Sequence, residues 1–119
     1  MKILIVDDNQ AVASVVQFML ELEGFEVRLA LNGPDGFLNY IQFRPDLVIT
    51  DIQMPGENGF ELMNHIREHD PTVKTIYMSG NLSQFYALLE DEKSKYHIDF
   101  LDKPFSRDEL IGRVSAFLS

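Results

Sequence analysis

Ile3-Leu4-Ile5-Val6 closes on Asp7-Asp8, and Leu47-Val48-Ile49-Thr50 closes on Asp51. Both are short, unbroken apolar runs that stop at carboxylates. Continuous rather than alternating runs suit strands buried on both faces, as in a parallel sheet covered by helices on either side. Three more runs follow the same pattern. Val27 to Ala30 comes after Gly24, Ile76-Tyr77-Met78 precedes Ser79-Gly80, and Ile98 to Leu101 precedes Lys103-Pro104.

Helical patterns fill the gaps. Val12, Val15, Val16, Met19 and Leu20 recur at three and four residues, and Gly24 follows as a C-terminal cap. Asn32-Gly33-Pro34 opens a short second helix over residues 35 to 41. Asn58 and Glu61 form a capping pair for a third, running to about residue 68 and stopped by Asp70-Pro71. Ser83 is the expected N-cap of a fourth, residues 84 to 93. Ser106 with Glu109 is a capping box for a fifth, ending near residue 118. Strand and helix alternate five times, which predicts an α/β, doubly wound parallel sheet with right-handed crossovers.

The chain has 119 residues, and residues 1–119 read as one domain with no linker, repeat or low-complexity tract. Apolar residues make up 45%, enough for a core. The absence of cysteine excludes disulfides and thiolate metal sites and fits a reducing, cytoplasmic setting. No apolar run approaches the ~20 residues of a bilayer span, and the first residues lack a signal-peptide pattern. A net charge of −9 argues against nucleic-acid binding by this domain and against an anionic membrane as partner.

In open parallel sheets, ligands bind beyond the carboxyl ends of the strands. Those ends hold Asp7, Asp8, Asp51 and Ser79, with Lys103 just after the fifth strand. Clustered carboxylates repel: at ~4 Å and an effective dielectric of ~20, each pair costs about 4 kcal/mol before screening. Either some protonate or a cation sits among them. Oxygen-only ligands suit a hard ion such as Mg2+, with Mn2+ as a substitute. A carboxylate nucleophile, a metal, an ammonium and a hydroxyl together make a phosphoryl-transfer site.

With these residues in place, the chain resembles the response-regulator receiver family of two-component signalling. The resemblance is carried in order by Ile5-Val6-Asp7-Asp8, by Asp51-Ile52-Gln53-Met54-Pro55-Gly56 with Gly59, by Met78-Ser79-Gly80, and by Asp99 to Phe105 around Lys103-Pro104. It implies a flavodoxin-like (βα)5 fold with strand order 2-1-3-4-5. It also implies that Asp51 is the phosphoacceptor, fed by a histidine kinase or phosphotransfer protein. Asp8, Asp51 and the Gln53 backbone carbonyl would hold the metal, with Asp7 acting through water. Ser79 and Lys103 would hold the phosphoryl oxygens. Phe100 stands at the switch aromatic, and the Lys103-Pro104 bond is expected to be cis. The output face would be the fourth helix, fifth strand and fifth helix, acting on a downstream protein or an attached output domain. Arg113 and Asp99 fall where some receivers form cross-dimer ion pairs. Such a domain takes part in its own phosphotransfer and dephosphorylation and is not a turnover enzyme. The sequence departs from the family pattern before the fifth strand, where Tyr96-His97 replaces the usual Gly-Ala. Gln53 and Asn81 flank the pocket, where they would tune water access to the phosphate.

Blander readings compete. Asp7-Asp8 alone is ordinary solvated loop charge, and Phe100 alone is a core aromatic. His65 to His69 has the spacing of an H-x-x-E-H zinc pattern, but no third ligand is evident, so both histidines read as solvent-facing. Glu90-Asp91-Glu92 reads as a solvated helix face. A phosphatase with an aspartyl nucleophile needs a D-x-D arrangement after the first strand, which Asp7-Asp8 does not provide. A flavin carrier needs a phosphate loop where two carboxylates stand. An unphosphorylated protein-interaction module on the same fold is the remaining alternative.

Overall fold

The computed structural model describes residues 1–118. The order is β1 (Lys2–Val6), α1 (Gln10–Leu22), β2 (Glu26–Ala30), α2 (Gly33–Phe43), β3 (Leu47–Asp51), α3 (Gly59–Arg67), β4 (Thr75–Ser79), a 3-10 turn (Leu82–Phe85), α4 (Tyr86–Lys95), β5 (Ile98–Asp102) and α5 (Arg107–Leu118). The five strands form one parallel sheet in the order β2-β1-β3-β4-β5.

Alternation along each strand divides the core in two. Leu4, Val6 and Val48 face Tyr40, Phe60, Met63, Ile66 and Leu89, which come from α2, α3 and α4. Ile3, Ile5, Ile49 and Ile76 face Ala13, Val16 and Leu20 of α1 and Leu110 and Val114 of α5. Each fully buried aliphatic side chain contributes about 1.5–3 kcal/mol. Both faces are covered, so the strands have no polar side to show, and their runs are unbroken.

The helix starts follow local chemistry. Asn9 accepts from the Val12 amide and Asn32 from the Asp35 amide. Asn58 and Glu61 satisfy each other's backbone donors, as do Ser106 and Glu109. Gly24, at φ +92°, takes the left-handed turn after α1.

Four expectations need correction. The second helix begins at Gly33 and reaches Phe43, longer than its apolar pattern shows, because Asn32 caps it and Pro34 fits its first turn. Ser83 does not cap the fourth helix. It lies inside the 3-10 turn, and α4 starts at Tyr86 with no side-chain cap. Val15 is 53% exposed although it shares the apolar repeat of α1. Five apolar residues span more arc than one buried face, and Ala13, Val16 and Leu20 take that face. Glu92 is not solvated: it is 8% exposed and buried against Arg67 and Tyr77. His65 and His69 are exposed as expected, with His65 beside Glu57 and His69 against the Phe37 ring.

Candidate functional site

The sheet order places the ends of β1, β3, β4 and β5 in a row, and the polar residues collect there. Asp7 is fully buried, Asp51 is 8% and Ser79 1% exposed, and Asp8 faces solvent. One carboxylate oxygen from each of Asp7, Asp8 and Asp51 lies within 4.8 Å of the others. Lys103 reaches back from the end of β5. Its Nζ lies 2.8 Å from Asp7 Oδ2 and 3.6 Å from Asp51 Oδ2.

Backbone bonds fix the row. The Lys103 amide donates to the Ser79 carbonyl at 2.9 Å, and the Ile52 amide to the Met78 carbonyl at 3.0 Å. Asp7 Oδ1 accepts from the Asn9 amide at 2.9 Å, which ties the carboxylate to the start of α1. Ser79 Oγ accepts from the Asn81 amide at 2.9 Å. The Lys103-Pro104 bond is cis.

Gly59 has a steric duty at this site. A Cβ there would lie 2.4 Å from the Asp51 carbonyl oxygen. The first residue of α3 therefore presses directly on the backbone of Asp51. Gly59→Ala is expected to destabilise the protein by about 1–3 kcal/mol, the usual cost of overpacking. Urea unfolding would check it; a change within error would show that the β3–α3 loop yields freely.

Burial is the main influence on the Asp51 carboxyl and raises its pKa. Lys103 partly offsets this, and Asp7 and Asp8 add to it, so the pKa reaches about 6 against an ordinary 3.8. Three carboxylates against one ammonium leave two uncompensated negative charges when all are ionised. That is the charge of one divalent cation, and the donors are all oxygen. The residues present therefore fit magnesium or manganese.

Gln53 is exposed two residues beyond Asp51. Phe100 is half-buried on β5, paired in register with Tyr77, and Lys93 Nζ lies 5.5 Å from its ring centre. Arg113 and Asp99 pair within the chain at 3.0 Å, and Arg113 also donates to the Phe100 carbonyl.

Sequence reasoning did not find the groove beside the site. Val12, Val15 and Met19 of α1 face Pro104 and Phe105 across about 480 Å³, with Lys103 at one end. The excess of apolar residues on α1 is its only trace in the sequence.

A family model described as the response regulator receiver domain matches residues 3–115. The transcriptional regulator NtrC of Bradyrhizobium sp. is 37% identical over 98% of this chain, which covers 24% of that protein. Across four curated relatives, the chain spans between 24% and 48% of their length. The receiver domain of the hybrid histidine kinase CckA superposes with a TM-score of 0.83 at 30% identity, covering 100% of both chains. TrrA of Thermotoga maritima, a response regulator solved with Mg2+ and BeF, gives 0.84 at 30% identity over 98% of this chain and 97% of that one.

Proposed function

This chain belongs to the response regulator receiver domain family, and we propose on that footing that it is a phosphorylation-dependent switch whose acceptor is Asp51. The observation that carries the reading is the charge balance at the site: three convergent carboxylates, one ammonium and a deficit equal to one divalent cation. The presence of magnesium and BeF on TrrA, at the same fold, supports it.

The Asp51 carboxylate attacks phosphorus. A new O–P bond forms, the bond from phosphorus to the donor's nitrogen or oxygen breaks, and the leaving group takes the electron pair. Ionised Asp51 is the reactive form; burial holds its pKa up at about 6 in the metal-free pocket, and a cation bound there would favour the ionised form. Asp8, Asp51 and the Gln53 carbonyl would hold a Mg2+ ion, with Asp7 acting through water, and the ion would supply charge neutralisation and alignment. Lys103 turns from its carboxylates to a phosphoryl oxygen. Ser79 gives up its bond from the Asn81 amide and donates its hydroxyl to another. Phosphorylation adds about −1.5 to −2 charge. Ser79 then draws on the loop after β4, Phe100 turns inward, and the face of α4, β5 and α5 re-packs.

The donor is a histidine kinase or phosphotransfer protein. The groove between α1 and Pro104-Phe105 opens beside Lys103, so a donor seated there brings its phosphoryl group to Asp51. Val15→Glu is expected to impair transfer from such a protein and to spare labelling by acetyl phosphate. Equal losses with both donors would place the docking surface elsewhere. The DNA binding named for NtrC is proposed to belong to parts of that protein this chain does not match.

The reading is tested by incubating the protein with acetyl phosphate and following its intact mass. One phosphoryl group should be gained with magnesium and none after chelation. No gain under either condition would leave an unphosphorylated interaction module. Lys103→Met should slow labelling by about a hundredfold, the typical effect of losing one charge-stabilising group.

A further inference from the structure

The output helix α4 is attached in an unusual way. Within it only Leu89 and Glu92 are buried. Glu92 Oε1 accepts from the Tyr77 hydroxyl at 2.6 Å and lies 3.0 Å from Arg67 Nη2. Arg67 comes from the end of α3 and Tyr77 from the middle of β4. The Arg67 guanidinium also lies 3.9 Å from the centre of the Tyr96 ring, just past the end of α4. Its Nε and Nη1 are buried without hydrogen-bond partners. Among the described residues, Glu92 is the only acid paired with Arg67. Burial opposes the charge on Arg67, yet Glu92 and Tyr77 together raise its pKa. A polar cluster thus joins Leu89 in holding this helix to the fold.

The segment before it is held differently. The 3-10 turn has no fully buried residue and no side-chain cap; Leu82 and Phe85 pack partly on the core, with the Phe85 ring 6.0 Å from that of Phe60. Tyr86 and Leu88 are 61% and 53% exposed. This segment begins at Asn81, whose amide bonds the Ser79 hydroxyl. Ser79 and Tyr77 stand two residues apart on β4, so one strand grips the two halves of the region separately.

We propose that the Glu92–Arg67–Tyr77 cluster pins residues 89–96, so that within the segment joining β4 to β5 the change driven from Asp51 is confined to residues 80–88, while Phe100 turns separately on β5. Turning Ser79 toward a phosphoryl group releases the Asn81 amide and loosens the first segment, which then keeps only the partial packing of Leu82 and Phe85. It touches nothing in the cluster. The output signal of this chain is then a rearrangement of the 3-10 turn and the first turn of α4, exposing or hiding Tyr86 and Leu88, and not a displacement of the whole helix. The inference rests on the reading of Asp51 as acceptor.

Hydrogen exchange with mass spectrometry tests it, on the wild type, Tyr77→Phe and Glu92→Gln, each with and without magnesium and beryllofluoride. Tyr77→Phe keeps the ring and the Arg67–Glu92 pair, so it remains folded where Glu92→Gln fails. In the wild type, beryllofluoride should alter exchange over 80–88 and leave 89–96 unchanged. Each variant should speed exchange over 89–96 by about tenfold, the loss of one hydrogen bond to a charged group, and should spread the beryllofluoride effect into that stretch. A wild-type response over 89–96 as large as that over 80–88 overturns the proposal, as does unchanged exchange there in both variants. A melting shift with beryllofluoride in the wild type and none in Asp51→Asn would keep the acceptor reading intact in that event. No shift in either protein would sink both.

Discussion

Asp51→Asn is expected to make the metal-free protein more stable by about 2 kcal/mol while abolishing phosphoryl uptake. Burial and two neighbouring carboxylates lift the Asp51 pKa from 3.8 to about 6, against the pull of Lys103. Each unit corresponds to about 1.4 kcal/mol of bias against the charged form, and the site's partial contact with water reduces the total. The sign follows from proton counting. Between pH 4 and 6 the folded chain holds the Asp51 proton and the unfolded chain does not, so this contribution to stability is present below pH 4 and lost as pH rises through about 6. Asp70 is shifted the other way, downward, chiefly by its bond from Tyr40, so its effect is confined to more acid solution. Thermal unfolding of both proteins from pH 4 to 8 would show the wild type losing ground to Asp51→Asn across that window. Magnesium should then stabilise the wild type and not the variant. Parallel curves without metal would mean that the three carboxylates do not strain the fold.

Arg67→Ala and Glu92→Ala should each cost about 3–5 kcal/mol, because either one leaves its partner buried and charged without compensation. For a domain of this size that lowers the melting temperature by about 10–20 °C. Replacing both residues at once by apolar ones should recover much of the loss, since the pair is expensive to desolvate. Tyr77 would feel the change as well: burial raises its phenol pKa, and Glu92 holds the hydroxyl as a donor. A double-mutant cycle by denaturant unfolding separates the cases. Losses that simply add would show that Arg67 and Glu92 are stabilised independently.

Much of the fold is legible because burial on both faces leaves so clear a mark. Ile3 to Val6 and Leu47 to Thr50 have no polar alternation because neither side of the sheet meets water. Asn58 with Glu61 and Ser106 with Glu109 are local motifs, and the chain forms them where they are written. The misreadings share a different cause. Glu92 sits in a run of three acids, and nothing local announces Arg67, which approaches from α3 through the fold. Ser83 looks like a cap, but the backbone tightens into a 3-10 turn one residue earlier. Val15 is apolar for a reason that the helix's own period does not contain, the groove toward Phe105. At the site, Asp7, Asp8, Asp51, Ser79 and Lys103 were each readable from position at a strand end. The Lys103–Asp7 bond spans 96 residues and follows only from the strand order.

The central claim is that Asp51 takes the phosphoryl group. Sodium borohydride reduces an acyl phosphate to an alcohol, so protein labelled with acetyl phosphate and magnesium can be reduced, digested and sequenced by mass spectrometry. The account predicts homoserine at position 51 and an unaltered Asp7 and Asp8. Reduction at either of those residues, or a labelled protein with Asp51 intact, would contradict it.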